Sequence, residues 1–442
     1  MITKIEPKIL SGFMELMPAE QILFNKYLEI IRETYEEFGY VPLESPMVEY
    51  SNVLLAKIGE DTKKEIYRFQ RNDDDLSLRF DLTVPLARFV AMNGQSLAFP
   101  FRRYQIGKVF RGERPQKGRF REFYQCDIDI IGNGSLGLIN DAEIPAVIYR
   151  LFSKLNLGEF VIRISNRKVL TGLVESLGYP EKTDEVLRIV DKLEKIGQES
   201  VVEELTKVGL SLEGARTVIK FVKIFGTNKE ILEQLRKMEI ENKTFDEGIE
   251  ELDTVLTKAS EFGVPEKNLK LDLAIARGLS YYTGTVYETV LVDERVSGSV
   301  CSGGRYDDLA ESYTNVSYPG VGISIGLTRL FSQLLSAGVI VPEASTPSKV
   351  MVVTLDNDLK FALEVAKELR EDGIKTEVYT EDDKFKKKLS YANKIGVPYV
   401  AIIGEEEIKA KKVTLKNMKT GEQEMVGVDG VIKKLKRDEI HS

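Results

Sequence analysis

The stretch from Arg102 to Gly132, RRYQIGKVFRGERPQKGRFREFYQCDIDIIG, concentrates the side chains in this chain most able to do chemistry. Within FYQCDIDII the alternation of a strand puts Tyr124, Cys126, Ile128 and Ile130 on one face and Gln125, Asp127 and Asp129 on the other. The first face reads as core and the second as chemistry or solvent. The run before it behaves similarly: Tyr104, Ile106 and Phe110 share a face, and the opposite face ends in Arg111. A cation and a carboxamide-carboxylate row would then face the same way. The chain contains 1 histidine, His441, which excludes histidine general-base catalysis, Ser-His-Asp triads and HExxH metal sites. Chemistry must run on carboxylates, arginines and magnesium.

The connection from Gly112 to Arg121 is about ten residues long, against the usual two to five of a hairpin. It carries Arg114, Lys117, Arg119 and Arg121, and reads either as a solvated charged tip or as a loop that grips an anion. A formal net charge of −8 argues mildly against a nucleic-acid partner, although a basic loop can still hold RNA locally. With 442 residues and 43% hydrophobic content, two or three domains with proper cores are expected. No apolar run approaches the ~18 residues of a membrane helix and the N-terminus lacks a signal-peptide core, so a cytoplasmic protein without a membrane partner is expected. Cys126 and Cys301 have neither disulfide nor zinc spacing and read as buried, inert thiols.

Several elements must position these residues. Apolar spacing predicts an amphipathic helix over Ala19 to Phe38, stopped by Gly39 and followed by a Pro-containing strand, VPLESPMVE. Leu76 to Asp81 alternates as a strand. Thr83 is then placed to cap a helix with Pro85 in its first turn, and Asp81 could equally be a capping carboxylate. From Pro180 to about Gly263 the spacing is helical, rich in Lys, Glu and Leu, and free of recognisable chemistry. The run LDLAIARGLSYYTGTVYETVL from Leu271 reads, at its plainest, as a hairpin with aromatic packing. PGVGISIGLTRL leads from a strand into a helix that puts Arg329 in its first turn, where the macrodipole disfavours a cation by about 0.3–1 kcal/mol unless phosphate is bound. VIVPEASTPS, Val339 to Ser348, is a linker. Beyond it a βαβαβ order predicts a compact α/β domain with a mostly parallel sheet, in which Lys384, Lys386, Lys387 and Lys388 form a solvated helix face.

These blocks resemble a known family. F-R-x-E with a basic loop and R-x-x-x-F resembles motif 2 of the class II aminoacyl-tRNA synthetases, VPLESPMVE resembles motif 1, and G-L-x-R-L resembles motif 3. R-F-D-L-T-V-P, R-G-L-x-Y-Y-T-G-x-V-x-E and CSGGRYDDL are similar to blocks of the histidyl member, and the resemblance covers the chain. It implies an α+β catalytic domain with an antiparallel sheet at 1–178 and 265–338. It further implies a helical insertion domain at 179–264, a linker at 339–348 and an α/β anticodon-binding domain at 349–442. The implied reaction ligates L-histidine to tRNA(His) with ATP and Mg2+ through a histidyl-adenylate, in a homodimer.

The same resemblance assigns roles. Arg277 and Arg111 would be catalytic at the α-phosphate. Asp81, Leu82, Thr83 and Gln125, with Arg111 and Arg277, would hold the amino-acid backbone of histidine, and Asp129, Tyr281 and Tyr282 would line its imidazole pocket. Arg111, Glu113, Arg119, Phe123 and Arg329 would bind ATP, with Phe123 on the adenine. Arg114, Gln116 and Lys117 would reach the tRNA acceptor end. Bacterial members often carry Glu where Asp81 and Asp129 stand. The rival reading is a non-catalytic regulatory relative that keeps the fold as a histidine sensor; such relatives lack the Arg277 block and the anticodon domain.

Overall fold

The computed structural model describes residues 5–56, 63–114, 118–275, 281–307, 309–356 and 359–440. The chain divides into two compact units, one built from the segment up to Met14 with Tyr27–Ile340, the other from Glu15–Lys26 with Val341 onward.

In the first unit the described strands are β1 (Val41–Pro42), β2 (Val48–Tyr50), β3 (Arg68–Arg71), β4 (Asp74–Leu78), β5 (Phe101–Phe110), β6 (Glu122–Ile131), β7 (Phe160–Asn166), β8 (Leu269–Leu271), β9 (Thr285–Leu291), β10 (Cys301–Tyr306) and β11 (Gly320–Gly326). Eight of them form one sheet in the order β1-β5-β6-β11-β10-β9-β7-β8. Its interior pairings are antiparallel and only the two edge pairings, β1 with β5 and β7 with β8, are parallel. The long pair β5 and β6 lies at its heart, with Asp129 opposite Arg103 and Asp127 opposite Gln105. Cys126, Ile128 and Ile130 are fully buried, as the alternation requires of a core face. The helix Pro18–Glu37 packs here, burying Ile31 and Tyr35 and donating from the Tyr35 hydroxyl to the Cys126 carbonyl at 2.9 Å.

Three local expectations are corrected. VPLESPMVE is not one strand: β1 joins the large sheet and β2 joins a separate sheet ordered β2-β4-β3, with Pro46, which has no N–H to give a ladder, between them. Thr83 does not cap the helix Thr83–Asn93. Asp81 does so, its Oδ1 accepting from the Val84 N–H at 3.0 Å. The run after Leu269 is not a hairpin, because β8 and β9 flank β7 and do not pair with each other.

Between Pro180 and Glu261 the described elements are all helical. Their starts are chemically marked: Ser211 caps Leu212–Val222, Thr227 and Glu230 form a capping box, and Asn242 caps Lys243–Glu261. The helix Lys243–Glu261 crosses Arg167–Ser176 closely at Gly172, where a Cβ would stand 2.4 Å from the Phe245 nitrogen.

The second unit holds β12 (Val350–Thr354), β13 (Thr376–Val378), β14 (Tyr399–Ile403), β15 (Val413–Asn417) and β16 (Gln423–Val426), in the order β13-β12-β14-β15-β16. Val350, Val352, Ala401 and Ile403 enter one core, and Met351, Val353, Val400 and Ile402 the other. Strands buried on both faces read as the continuous apolar runs seen here. The sheet is mixed, since β15 and β16 add antiparallel to the parallel trio. Lys388 is not part of a solvated face: it is buried and its Nζ donates to the Thr354 carbonyl at 2.9 Å.

Candidate active site

The polar face of β6 forms part of the wall of a cavity of about 490 Å3 in the first unit. Asp81 and Thr83 from the turn after β4, Arg111, Glu113 and Arg119 from the β5–β6 connection, and Phe123, Gln125 and Asp129 from β6 all line it. Tyr281 and Tyr282 before β9 and Arg329 after β11 complete the set that converges there. Leu82 is buried and is not part of the wall; its carbonyl accepts from Arg103 at 3.2 Å. Arg114 is exposed and also outside the wall. Arg277, Gln116 and Lys117 lie outside the described residues.

Each side chain is held by an identifiable contact. The Arg111 guanidinium lies over Phe80 at 4.3 Å and Phe123 at 5.1 Å, and its Nε donates to the Phe80 carbonyl at 3.3 Å. Sandwiching between aromatic rings fixes a planar cation without neutralising it. Burial pulls its pKa down, with Asp81 and Glu113 opposing. Glu113 pairs with Arg119 at 2.9 Å, and its carbonyl accepts from Arg121 at 2.9 Å, so the basic connection is tied back on itself. The start of the helix Leu327–Ser336 is fixed to β6 where the Thr328 hydroxyl accepts from the Tyr124 N–H at 2.9 Å, which places Arg329 at the cavity.

At the inner end, Asp129 is gripped twice. Its Oδ2 meets the Arg103 guanidinium at 2.6 Å, and its Oδ1 accepts from the Tyr306 hydroxyl at 2.6 Å. Opposite it on β11 stands Gly322, where a Cβ would come within 2.3 Å of Asp129 Oδ1, so the carboxylate occupies the space a side chain would need. Burial pushes the Asp129 carboxyl up to about 6, and Arg103 pulls it back. Asp81 is also raised by burial, opposed by the Val84 N–H and Arg111. Tyr281 packs edge-on against Tyr282 at 4.9 Å and against Tyr306 at 6.0 Å, and burial raises the hydroxyls of both Tyr281 and Tyr282. The Tyr282 carbonyl accepts from Arg167 at 2.7 Å, which anchors the tyrosine pair.

Sequence reasoning assigned no role to four residues that matter here: Arg103, Asp127, Tyr306 and Ser324. Asp127 had a signal, because it alternates with Gln125 and Asp129. Ser324 had none, since only the β6–β11 register sets it opposite Asp127 and lets its hydroxyl accept from Gln125 Nε2 at 2.6 Å. The two cysteines are buried free thiols. Among the described residues no helix is long and apolar enough to cross a membrane.

A cavity joining buried carboxyls at one end to arginines and the half-buried Phe120 and Phe123 at the other is suited to holding a zwitterion against a polyanion. Comparison with known proteins agrees. The family described as histidyl-tRNA synthetase matches residues 12–330, and an anticodon binding domain matches 349–438. A histidine--tRNA ligase of Clostridium tetani is 55% identical over 433 residues, covering 98% of each chain. One of Clostridium acetobutylicum is 44% identical, covering 98% of this chain and 100% of that one. The crystal structure of histidyl-tRNA synthetase from Nostoc sp. PCC 7120 is 42% identical, covers 98% of this chain and all of that chain, and superposes with a TM-score of 0.91. With the motif blocks, the fold and these relatives in agreement, the chain belongs to the histidyl-tRNA synthetase family.

Proposed function

We propose that the protein ligates L-histidine to tRNA(His), using ATP and a histidyl-adenylate intermediate. The observation that carries this reading is the convergence of four separated segments, around Asp81, Arg111 to Asp129, Tyr281 and Arg329, on one cavity. In the first step the histidine carboxylate attacks the α-phosphate and pyrophosphate leaves. In the second, a terminal ribose hydroxyl of the tRNA attacks the adenylate carbonyl and AMP leaves. Both steps demand preorganised positive charge around phosphoryl oxygens and exact placement of two anions, which arginines supply.

Arg111, fixed between Phe80 and Phe123, would contact the α-phosphate and the histidine carboxylate, and Arg277 would share that task. Phe123 would stack on adenine, with Glu113, Arg119 and Arg329 along the nucleotide. Asp81, Thr83 and Gln125, with the Leu82 backbone, would receive the α-ammonium group. Asp129, Tyr281 and Tyr282 would surround the imidazole. Arg114, Gln116 and Lys117 would reach the acceptor end of the tRNA. Glu113, a carboxylate on the cavity wall, would hold an Mg2+ ion brought in with the triphosphate. Such an ion offsets phosphate charge.

We further propose the catalytic domain at 1–178 and 265–338, the insertion at 179–264, the linker at 339–348 and the tRNA-reading domain at 349–442, in a cytoplasmic homodimer. The match of an anticodon binding domain to 349–438 weighs against the sensor reading. Single-turnover transfer from preformed histidyl-adenylate to tRNA(His) at low salt tests the proposal. Formation of charged tRNA is expected; adenylate without transfer would favour a relative that has kept only the first step.

A further inference from the structure

The inner end of the cavity holds a carboxyl that no role above uses. Asp127 is 2% exposed, lines the cavity between Gln125 and Asp129 on the same face of β6, and its buried Oδ1 has no hydrogen-bond partner among the described residues. A buried carboxylate oxygen without a partner is costly, and such an atom at a cavity wall marks the place of a missing donor. Its other contact is weak support: the Ser324 hydroxyl, which itself accepts from Gln125, hydrogen-bonds to Asp127.

The charge balance identifies the donor. Asp129 is already matched by Arg103, which is fully buried and pairs with it at 2.6 Å. On the reading of the site given above, on which this inference rests, Asp81 is matched by the α-ammonium of the bound amino acid and Arg111 by its carboxylate and the phosphate. Asp127 feels only Arg103, which is already paired with Asp129, and has no cation of its own among the described residues. Around it stand Arg103 from β5, Asp129 on its own strand, Asp81 from the turn after β4, Cys301 from β10, Tyr282 before β9 and Tyr35 from the helix Pro18–Glu37. Apart from Arg103, every one of these is acidic or neutral. Among the described residues no further cation reaches this end of the pocket, and on the reading above Arg277 is committed to the α-phosphate, so the imidazole of the substrate is the group that brings a positive charge here.

We propose that Asp127 is a further specificity-determining residue: its carboxylate accepts a hydrogen bond from the imidazole of bound histidine, and the imidazole is held there as imidazolium. An imidazole that titrates near 6.5 in solution is thereby kept protonated at pH 8, so binding takes up a proton. In the free protein burial pushes the Asp127 carboxyl up to about 7, so at pH 8 it is mostly ionised and ready for the cation. A neutral side chain of similar shape cannot make this pairing and leaves the buried charge unanswered, which extends the selectivity of the pocket beyond hydrogen-bond geometry.

The test is calorimetric titration of the full-length protein with L-histidine at pH 8, in two buffers of different ionisation enthalpy. Wild type is expected to take up about one proton per histidine bound at this pH, and its affinity to fall more and more steeply from pH 7, where Asp127 is still about half protonated, to roughly tenfold per pH unit by 8.5. Asp127→Asn, nearly isosteric, should bind histidine with little proton uptake and a flat pH profile. Independently of any variant, nitrogen NMR of imidazole-labelled histidine bound to wild type at pH 8 should show the imidazolium form. Histidine binding without proton uptake, a neutral imidazole in the bound state, or an Asn variant with the wild-type pH profile would each overturn the inference while leaving the site reading intact. Absence of any histidine binding together with absence of histidine-dependent pyrophosphate exchange would overturn the site reading and the inference with it.

Discussion

Two buried groups of charge share the large sheet, and they differ in how completely they are satisfied. Asp141, fully buried at the start of the helix Ile139–Leu155, is gripped by Arg305 of β10 through Nε at 3.0 Å and Nη2 at 2.6 Å, while the same Nη2 donates to the Leu136 carbonyl at 3.0 Å. Asp127 and Gln125, on β6, are nearly as buried but leave Oδ1 and Oε1 without partners among the described residues. Burial raises the carboxyl pKa of both Asp141 and Asp127, so a shifted pKa does not separate structure from site. For this pair, hydrogen-bond satisfaction does. Where the fork of an arginine meets both carboxylate oxygens, the charge is closed within the fold; where an oxygen faces a cavity, the fold is incomplete until a ligand arrives.

The comparison breaks first, and most visibly, in stability. Asp141→Ala should cost about 3–5 kcal/mol, because it strands the buried Arg305 guanidinium, while pyrophosphate exchange per folded molecule stays near wild type. Denaturant unfolding beside active-fraction-corrected exchange rates checks both halves. A loss below about 1 kcal/mol would mean that Arg305 finds another partner and the pair is not closed structure.

Arg111→Ala should show the opposite pattern. Histidine adenylation is expected to fall by roughly 10²–10³, the scale of losing one preorganised donor, with the unfolding midpoint little changed. Arg277→Ala should resemble it in kinetics. An Arg111 variant that unfolds early and retains its rate once folded would place that guanidinium with Arg305.

Asp127→Asn sharpens the contrast through pH. The folded carboxyl titrates near 7 and the unfolded one near the ordinary value of about 3.9, so between these pH values the folded state binds the extra proton. Its contribution to stability is present below pH 4 and is lost as pH rises through 7. The ligand-free Asn variant should therefore gain on the order of 4 kcal/mol over wild type at pH 8 and nothing at pH 4, read from thermal unfolding of the two proteins at each pH. A gain of equal size at both would show that the effect is not protonation.

The smallest effect belongs to the exposed edge of the site. Arg114→Ala should leave tRNA-free pyrophosphate exchange unchanged and reduce the salt slope of tRNA binding by about 0.7–0.9 log units per lost phosphate contact. An unchanged slope would remove Arg114 from the tRNA-facing set.

The sequence made the polar row of β6 legible because side-chain alternation is a local rule, and it made Arg111 legible because a strand end is marked by its connection. It could not show which of the row's carboxyls would be satisfied. That depends on Arg103 and Tyr306 reaching Asp129 from β5 and β10, and on Gly322 leaving room, none of which is a neighbour in sequence. The same reason explains the errors elsewhere. Lys388 reads as a surface residue by type, yet the Thr354 carbonyl gives it a buried partner. Residue type allows a cap from either Thr83 or Asp81, and only the structure shows that Asp81 makes the bond. A hairpin was suggested by adjacency after Leu269, and long-range pairing with β7 overrode it.

The most direct test of the account is amino-acid-dependent ATP–pyrophosphate exchange by the full chain without tRNA, run across the common amino acids at pH 7.5. Exchange that requires histidine, at least 10³ times faster than with any other amino acid, is the predicted result, because unpaired polar groups in a cavity reject ligands that cannot pair them. Exchange that another amino acid supports equally well, or no exchange with histidine at all, would contradict it.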